Sequence, residues 1–135
     1  MTTFTAVPVT TTTRGSRRAR AARIGLWAIR ILLSAQFIVG GVLKLTADPS
    51  MVAMFDDIGH GQGLRLLVGV CEVAGGIGLL ISRLARLAAI GLVLLMLGAI
   101  VTNVFALQIS PVLPLILGVL AAVVAVVRSW KGNQK

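Results

Sequence analysis

One carboxylate stands inside an otherwise apolar run: Glu72, in the segment VGVCEVAGGIGLLI. An ionisable group at the centre of a bilayer costs about 2.5–3.5 kcal/mol on insertion scales, so Glu72 requires a partner or a task. Its neighbours at helical spacing are Arg65, Val68, Gly69, Gly75, Gly76 and Leu79. That glycine-rich face allows close helix contact, so Glu72 is expected to point into a helix bundle rather than at lipid. Cations to match it lie upstream. Arg30, Ser34, Phe37, Gly41 and Lys44 fall at helical offsets and form one stripe. In an antiparallel hairpin Glu72 lies near the depth of Phe37, so Lys44 would reach down to it or Arg30 up. Gln36 matches that depth from another part of the wheel, and Asn103 lies near the same outer end on a later segment. Two roles stay open for this polar set: a register-fixing ion pair, or a proton or substrate site.

Other reactive residues carry less. Cys71 is the one cysteine, which excludes an internal disulfide and reads as a small packing residue. His60 sits in a Gly-rich loop and reads as solvated. No His, Cys and carboxylate cluster has metal-ligand spacing, so no metal is expected. No nucleophile motif, phosphate loop or dinucleotide fingerprint is present, and Gly59-x-Gly61-x-Gly63 reads as a flexible turn. No cofactor is evident from the residues themselves.

The elements that must position Glu72 follow from hydropathy. Of 135 residues, 57% are hydrophobic and 13% charged, with mean hydropathy +0.98. A soluble domain of this size needs more polar surface than that. A helix crossing about 30 Å of hydrocarbon needs roughly 20 apolar residues, and four such runs are legible, at 24–45, 64–82, 84–107 and 111–127. The short connections, at Ser82-Arg83 after the second run and Gln108–Ser110 after the third, force antiparallel neighbours. The expected fold is therefore all-α: an integral membrane four-helix up-down bundle occupying 24–128. Residues 1–23 read as a disordered basic cytoplasmic tail and 129–135 as a C-terminal cytoplasmic tail. A cleaved signal peptide is the rival for the first run, but its length, Arg30 and Gln36 favour a retained helix. Gly91 and Gly98 join Gly41, Gly69, Gly75 and Gly76 as expected helix-packing positions.

In the long 46–63 loop, Asp48-Pro49 reads as an N-cap followed by proline at the first helical position. Gly59 could close the segment. Met51, Val52, Met54, Phe55 and Ile58 give it an apolar face, so a short amphipathic helix is expected on the outer surface, in the headgroups or over the bundle mouth. Ser110-Pro111 marks the start of the last helix.

Charge sets the orientation. The net charge is +9 and the pI about 11.8. The cations flank span ends: Arg14, Arg17, Arg18, Arg20 and Arg23 before the first, Arg83 and Arg86 in a hairpin, Arg128, Lys131 and Lys135 at the end. Asp48, Asp56 and Asp57 lie in the loop on the other side. Positive loops stay in the cytoplasm, which predicts an N-in/C-in topology with Trp27 and Trp130 near that face. The same distribution argues against a nucleic-acid partner. The lipid bilayer is the partner the composition requires.

This arrangement resembles the DoxX-like family of small four-helix bacterial membrane proteins. The resemblance runs from Arg30 to Phe105, through RILLSAQFIVGGVLKL, MFDDIGHGQGLR, VGVCEVAGGIGLLI and RLARLAAIGLVLLMLGAI. Its Arg…Phe…Gly…Lys-Leu pattern falls on Arg30, Phe37, Gly41, Lys44 and Leu45, and its Glu-x-x-Gly-Gly pattern on Glu72, Gly75 and Gly76. The resemblance implies a multi-pass protein of the bacterial cytoplasmic membrane. It further implies an accessory or membrane-anchor subunit of a redox or sulfur/quinone-linked complex, with a soluble oxidoreductase or sulfurtransferase as partner and a quinone as cofactor. The alternative from the residues is a small proton-coupled exporter, working as a homo-oligomer through Glu72.

Overall fold

The computed structural model describes residues 13–132, with side chains described for 15–128. Residues 1–12 and 133–135, and the side chains of Arg14, Trp130 and Lys131, lie outside that range. Among the described residues the chain is all-helical, with five helices: α1 (Thr13–Leu45), α2 (Pro49–Ile58), α3 (Gly61–Leu80), α4 (Ala85–Phe105) and α5 (Val112–Gly132).

Two expectations about the ends change. The basic segment 13–23, expected to be disordered, is the first part of α1, which runs for 33 residues. Once a helix is nucleated, adding a residue costs little, and Ala and Arg are among the best helix formers. α1 is therefore about 50 Å long, well beyond one hydrocarbon thickness, and its arginines at 17, 18, 20 and 23 are all exposed. In the same way α5 continues through residue 132 rather than giving way to a tail at 129.

α2 forms where its caps require. The Asp48 carboxylate accepts from the Ser50 backbone N–H at 3.0 Å and its hydroxyl at 2.5 Å, and Pro49 occupies the first turn. Gly59 ends the helix in the left-handed region at φ 78°, its N–H donating to the Asp56 carbonyl. That conformation suits glycine because it has no Cβ. At the start of α5 the Ser110 hydroxyl accepts from the Val112 amide at 3.4 Å.

The helices pack antiparallel in sequence order: α1 on α3, α3 on α4, α4 on α5, with α5 also touching α1 and α2 lying across α3. Register between α1 and α3 is set by backbone proximity. A Cβ on Gly41 would stand 2.7 Å from the Gly69 carbonyl oxygen, and one on Gly76 3.0 Å from that of Ser34. The Ser34 hydroxyl donates to the Gly76 carbonyl at 2.7 Å, the small-residue and hydroxyl packing that replaces hydrophobic drive inside a bilayer. A core of Leu33, Phe37, Leu79, Ala89, Leu92, Met96, Ala121 and Val124 lies between the helices.

The outside is as apolar as the inside. Leu32, Leu87 and Phe105 are each more than two-thirds exposed, as are many smaller hydrophobics in part. α1 from Gly15, α3 and α4 are long and apolar enough to cross a membrane, and α5 is apolar over Val112–Arg128.

Candidate functional site

The stripe on α1 and the glycine face of α3 bring Lys44 and Glu72 together. Lys44 Nζ donates to Glu72 Oε2 at 2.9 Å, with both side chains mostly buried. Of the two cations left open by spacing alone, Lys44 is the partner. It is the one salt bridge among the described residues. A second, longer bond from Nζ to the Gly40 carbonyl, at 3.5 Å, holds the ammonium against its own helix. Gly40 is small enough to let the carboxylate in: a Cβ there would lie 3.4 Å from Glu72 Oε2.

The pair borders a partly open cavity of about 570 Å³ lined by α1, α2, α3, α4 and α5. Polar groups are few. Gln36 and Lys44 come from α1, Glu72 from α3, Thr102 and Asn103 from α4, and Ser110 from the connection to α5. The walls are otherwise aliphatic, sulfur-bearing or aromatic, Phe37 and Met96 among them. Met51, Met54, Phe55 and Ile58 present the apolar face of α2 to the same space. Of the two places expected for the amphipathic helix, α2 takes the one over the bundle mouth. Asn103 also donates to the Ser110 carbonyl at 3.2 Å, fixing the α4–α5 connection beside the cavity.

Arg30 is not part of this site. Its guanidinium is 1% exposed and turns to the C-terminal end of α3. There it donates to the Leu79 carbonyl from Nε at 2.8 Å and from Nη2 at 2.5 Å, and to Leu80 at 3.2 Å. The Trp27 ring lies 4.2 Å beneath it. The antiparallel register explains this, because Arg30 sits level with carbonyls that have no intrahelical donor, and a cation there satisfies both them and the helix dipole.

The glycines divide in two. Gly41, Gly69, Gly75 and Gly76 are in close contact, Gly75 with Leu92 of α4 and the rest across α1–α3. Gly91 and Gly98 do not pack: a Cβ on either would meet nothing within 4 Å. Gly98 lines the cavity, and Gly91 lines an outer groove between α3 and α4 that also includes exposed Cys71. Their spacing on α4 resembles a packing stripe, but the face they share is turned to open space. His60 is exposed, with Nδ1 3.2 Å from the Ile58 carbonyl. No metal-binding group occurs among the described residues.

Spacing arguments passed over Arg65, named there only as a neighbour of Glu72. It is 6% exposed and donates to the Lys44 carbonyl and, at 2.5 Å, to Gln62 Oε1. Gln62 in turn donates to Asp56 at 2.6 Å and to the Val52 carbonyl at 3.3 Å. This chain ties α2 to the end of α1 directly above the ion pair. The signal was present, since Arg65 lies seven residues before Glu72 on the same helix face.

A family model described as the DoxX-like family matches residues 28–126. The chain belongs to the DoxX-like family. The matched region contains every residue that lines the cavity. No curated protein and no solved structure matches it. What distinguishes the site chemically is a buried ammonium–carboxylate pair with two amide side chains and two hydroxyls nearby, against apolar walls.

Proposed function

We propose that this DoxX-like protein crosses the bacterial cytoplasmic membrane four times, N-in and C-in, with α5 as the fourth span. In this reading it is an accessory or membrane-anchor subunit of a redox or sulfur/quinone-linked complex. The observation that carries the reading is the Lys44–Glu72 pair on the wall of a 570 Å³ cavity that is otherwise apolar. Ligand pockets commonly fall between about 300 and 1,000 Å³, mostly apolar with a few convergent polar groups.

A quinone headgroup suits this donor set, because it presents carbonyl acceptors on a flat apolar ring. Lys44 and the side-chain amides of Gln36 and Asn103 are the donors that would hold it, and Met51, Met54 and Phe55 would cover the ring. When bound, a quinone supplies two-electron, two-proton acceptance. The chain's own contribution is orientation, exclusion of water by α2, and a proton position at the Glu72 carboxylate.

Purification of the native complex in mild detergent, with protein mass spectrometry and extraction of bound quinone, tests this. A stoichiometric soluble oxidoreductase or sulfurtransferase together with quinone supports the subunit reading. A homo-oligomer free of both overturns it. That result favours the second reading, a proton-coupled exporter, which rests on Glu72 facing the cavity. Loss of efflux in E72Q would then be the expected result, and full efflux in E72Q would remove that reading.

A further inference from the structure

α2 is joined to the rest of the molecule by two sharp turns. At its start the Asp48 N–H donates to the Leu43 carbonyl at 3.1 Å, which closes α1 with Ala47 in the left-handed region at φ 56°. Glycine usually takes that place at a helix end, and an alanine there is strained. At the far end of α2, Gly59 and Gly61 both take positive φ, 78° and 75°, on either side of His60. Neither turn continues a neighbouring helix into α2, so each can act as a pivot.

Between the pivots α2 is lightly held. Phe55 is its one buried residue, and it lines the cavity with half-buried Met51, Met54 and Ile58. Beyond the residues of the two turns, one side chain among the described residues hydrogen-bonds to α2, that of Gln62 in α3. Its Nε2 donates to the Val52 carbonyl at 3.3 Å and to Asp56 Oδ1 at 2.6 Å. Its Oε1 accepts from Arg65 Nε, and because arginine offers only donors, this bond fixes which end of the amide faces α2. Arg65 is anchored in turn on the Lys44 carbonyl. The latch is thus built on the backbone of the residue whose ammonium meets Glu72. Asp56 is exposed, and a bond that water can replace adds little. Few buried contacts and replaceable bonds put a segment at the low-stability end of a structure, from which lids are drawn.

We propose that α2 is a hinged lid on the cavity, pivoting at Ala47 and at Gly59–Gly61 and latched by Gln62. The lid governs access to the cavity proposed above as a ligand site, and rests on that reading. Opening removes the apolar wall of Met51, Met54, Phe55 and Ile58 and lets the polar end of an amphiphile reach Lys44 and Glu72. Closing restores the wall and remakes the Gln62 bonds.

The full chain in mild detergent, with C71S to remove the native thiol, carries a reporter cysteine in place of Met96. Met96 lines the cavity and is 4% exposed. A water-soluble methanethiosulfonate should label M96C slowly while the latch is intact. Q62E keeps an acceptor for Arg65 but can no longer donate to Val52 and Asp56, so labelling should quicken about tenfold. D56N keeps an acceptor for Gln62 and should change the rate by less than about twofold. V124C, at a fully buried position away from the cavity, reports global unfolding and should stay unlabelled in both. Equal labelling of M96C with and without Q62E overturns the lid, and so does an equal rise at V124C. If M96C does not fold, T102C on the same cavity takes its place. Exchange of bound ubiquinone-2, followed in parallel, should quicken by the same factor. Labelling needs no ligand, so a chain that retains no quinone fails the ligand reading while the thiol rates still decide the lid.

Discussion

Lys44 and Glu72, 28 residues apart, meet at 2.9 Å across the α1–α3 interface, and the carboxylate seats against Gly40 rather than against a side chain. The contact couples register to chemistry. The glycine approach that brings the two backbones together also sets the height at which the ammonium meets the carboxylate. A shift of one turn, about 5.4 Å, would part the pair and leave both charges in an apolar environment.

Breaking the pair from one side is therefore expected to cost more than removing it whole. K44M or E72Q alone should lower stability in detergent by on the order of 3 kcal/mol, because a buried charge is left uncompensated. K44M/E72Q should lose less than the sum of the two. E72K should fail to accumulate, through like-charge contact with Lys44 alone, since Arg30 is engaged at the far end of α3. Chemical or thermal unfolding of the purified variants gives the comparison, and strict additivity would show that the two residues are not coupled.

The glycines give a second contrast. In G41A the new methyl would meet the Gly69 carbonyl oxygen at 2.7 Å and Val73 at 2.7 Å, and backbone cannot move aside as a side-chain tip can. Separation of α1 from α3 should cost roughly 1–3 kcal/mol. G91A meets nothing within 4 Å and should be neutral or gain up to about 1 kcal/mol from helix propensity. Melting curves of the pair, measured in one detergent, test this, and equal melting points would show that the α1–α3 approach is not tight.

Much of the helical frame was legible because its signals are local. Asp48-Pro49 and Gly59 bracket α2 by cap chemistry alone, and the apolar runs are long enough to mark α1, α3 and α4. The choice between Arg30 and Lys44 was not legible. Both lie on one stripe, and it is the exact pairing of α1 with α3 that sends Arg30 to the carbonyls of Leu79 and Leu80. The open face of Gly91 and Gly98 was hidden for a related reason: small residues at helical spacing look alike whether they meet a neighbour or line a void. Helix through 13–23 was masked by charge, which lowers hydropathy without lowering helix propensity.

The α2 cap makes the outer cover of the cavity pH-dependent. Hydrogen bonds from the Ser50 hydroxyl and then its amide hold the Asp48 carboxyl below its ordinary value of 3.8. A group whose folded-state value is depressed adds stability above its unfolded value and loses it as pH falls through the folded one. α2 should thus stay capped through the neutral range and fray only below about pH 4. D48A should fray at all pH values. Hydrogen exchange of the Met51–Phe55 amides reports it, and slow exchange in D48A at pH 7 would show that the cap is not what holds α2.

The cavity itself can be filled without disturbing the helices. Gly98 lines it, has open space where a side chain would project, and already has its carbonyl engaged by the Thr102 hydroxyl at 2.9 Å. G98L adds an aliphatic side chain to that space and removes a glycine from a helix interior, so thermal stability should hold or rise by up to about 1 kcal/mol. Retention of a quinone-class ligand should be lost, because the added side chain occupies part of the volume that Lys44, Gln36 and Asn103 border. The two effects separate function from folding in one variant. Intact stability with lost retention places the ligand between α1, α3 and α4. Undiminished retention in a stable G98L would place it elsewhere on the molecule, and the ion pair would then be a register lock and no more.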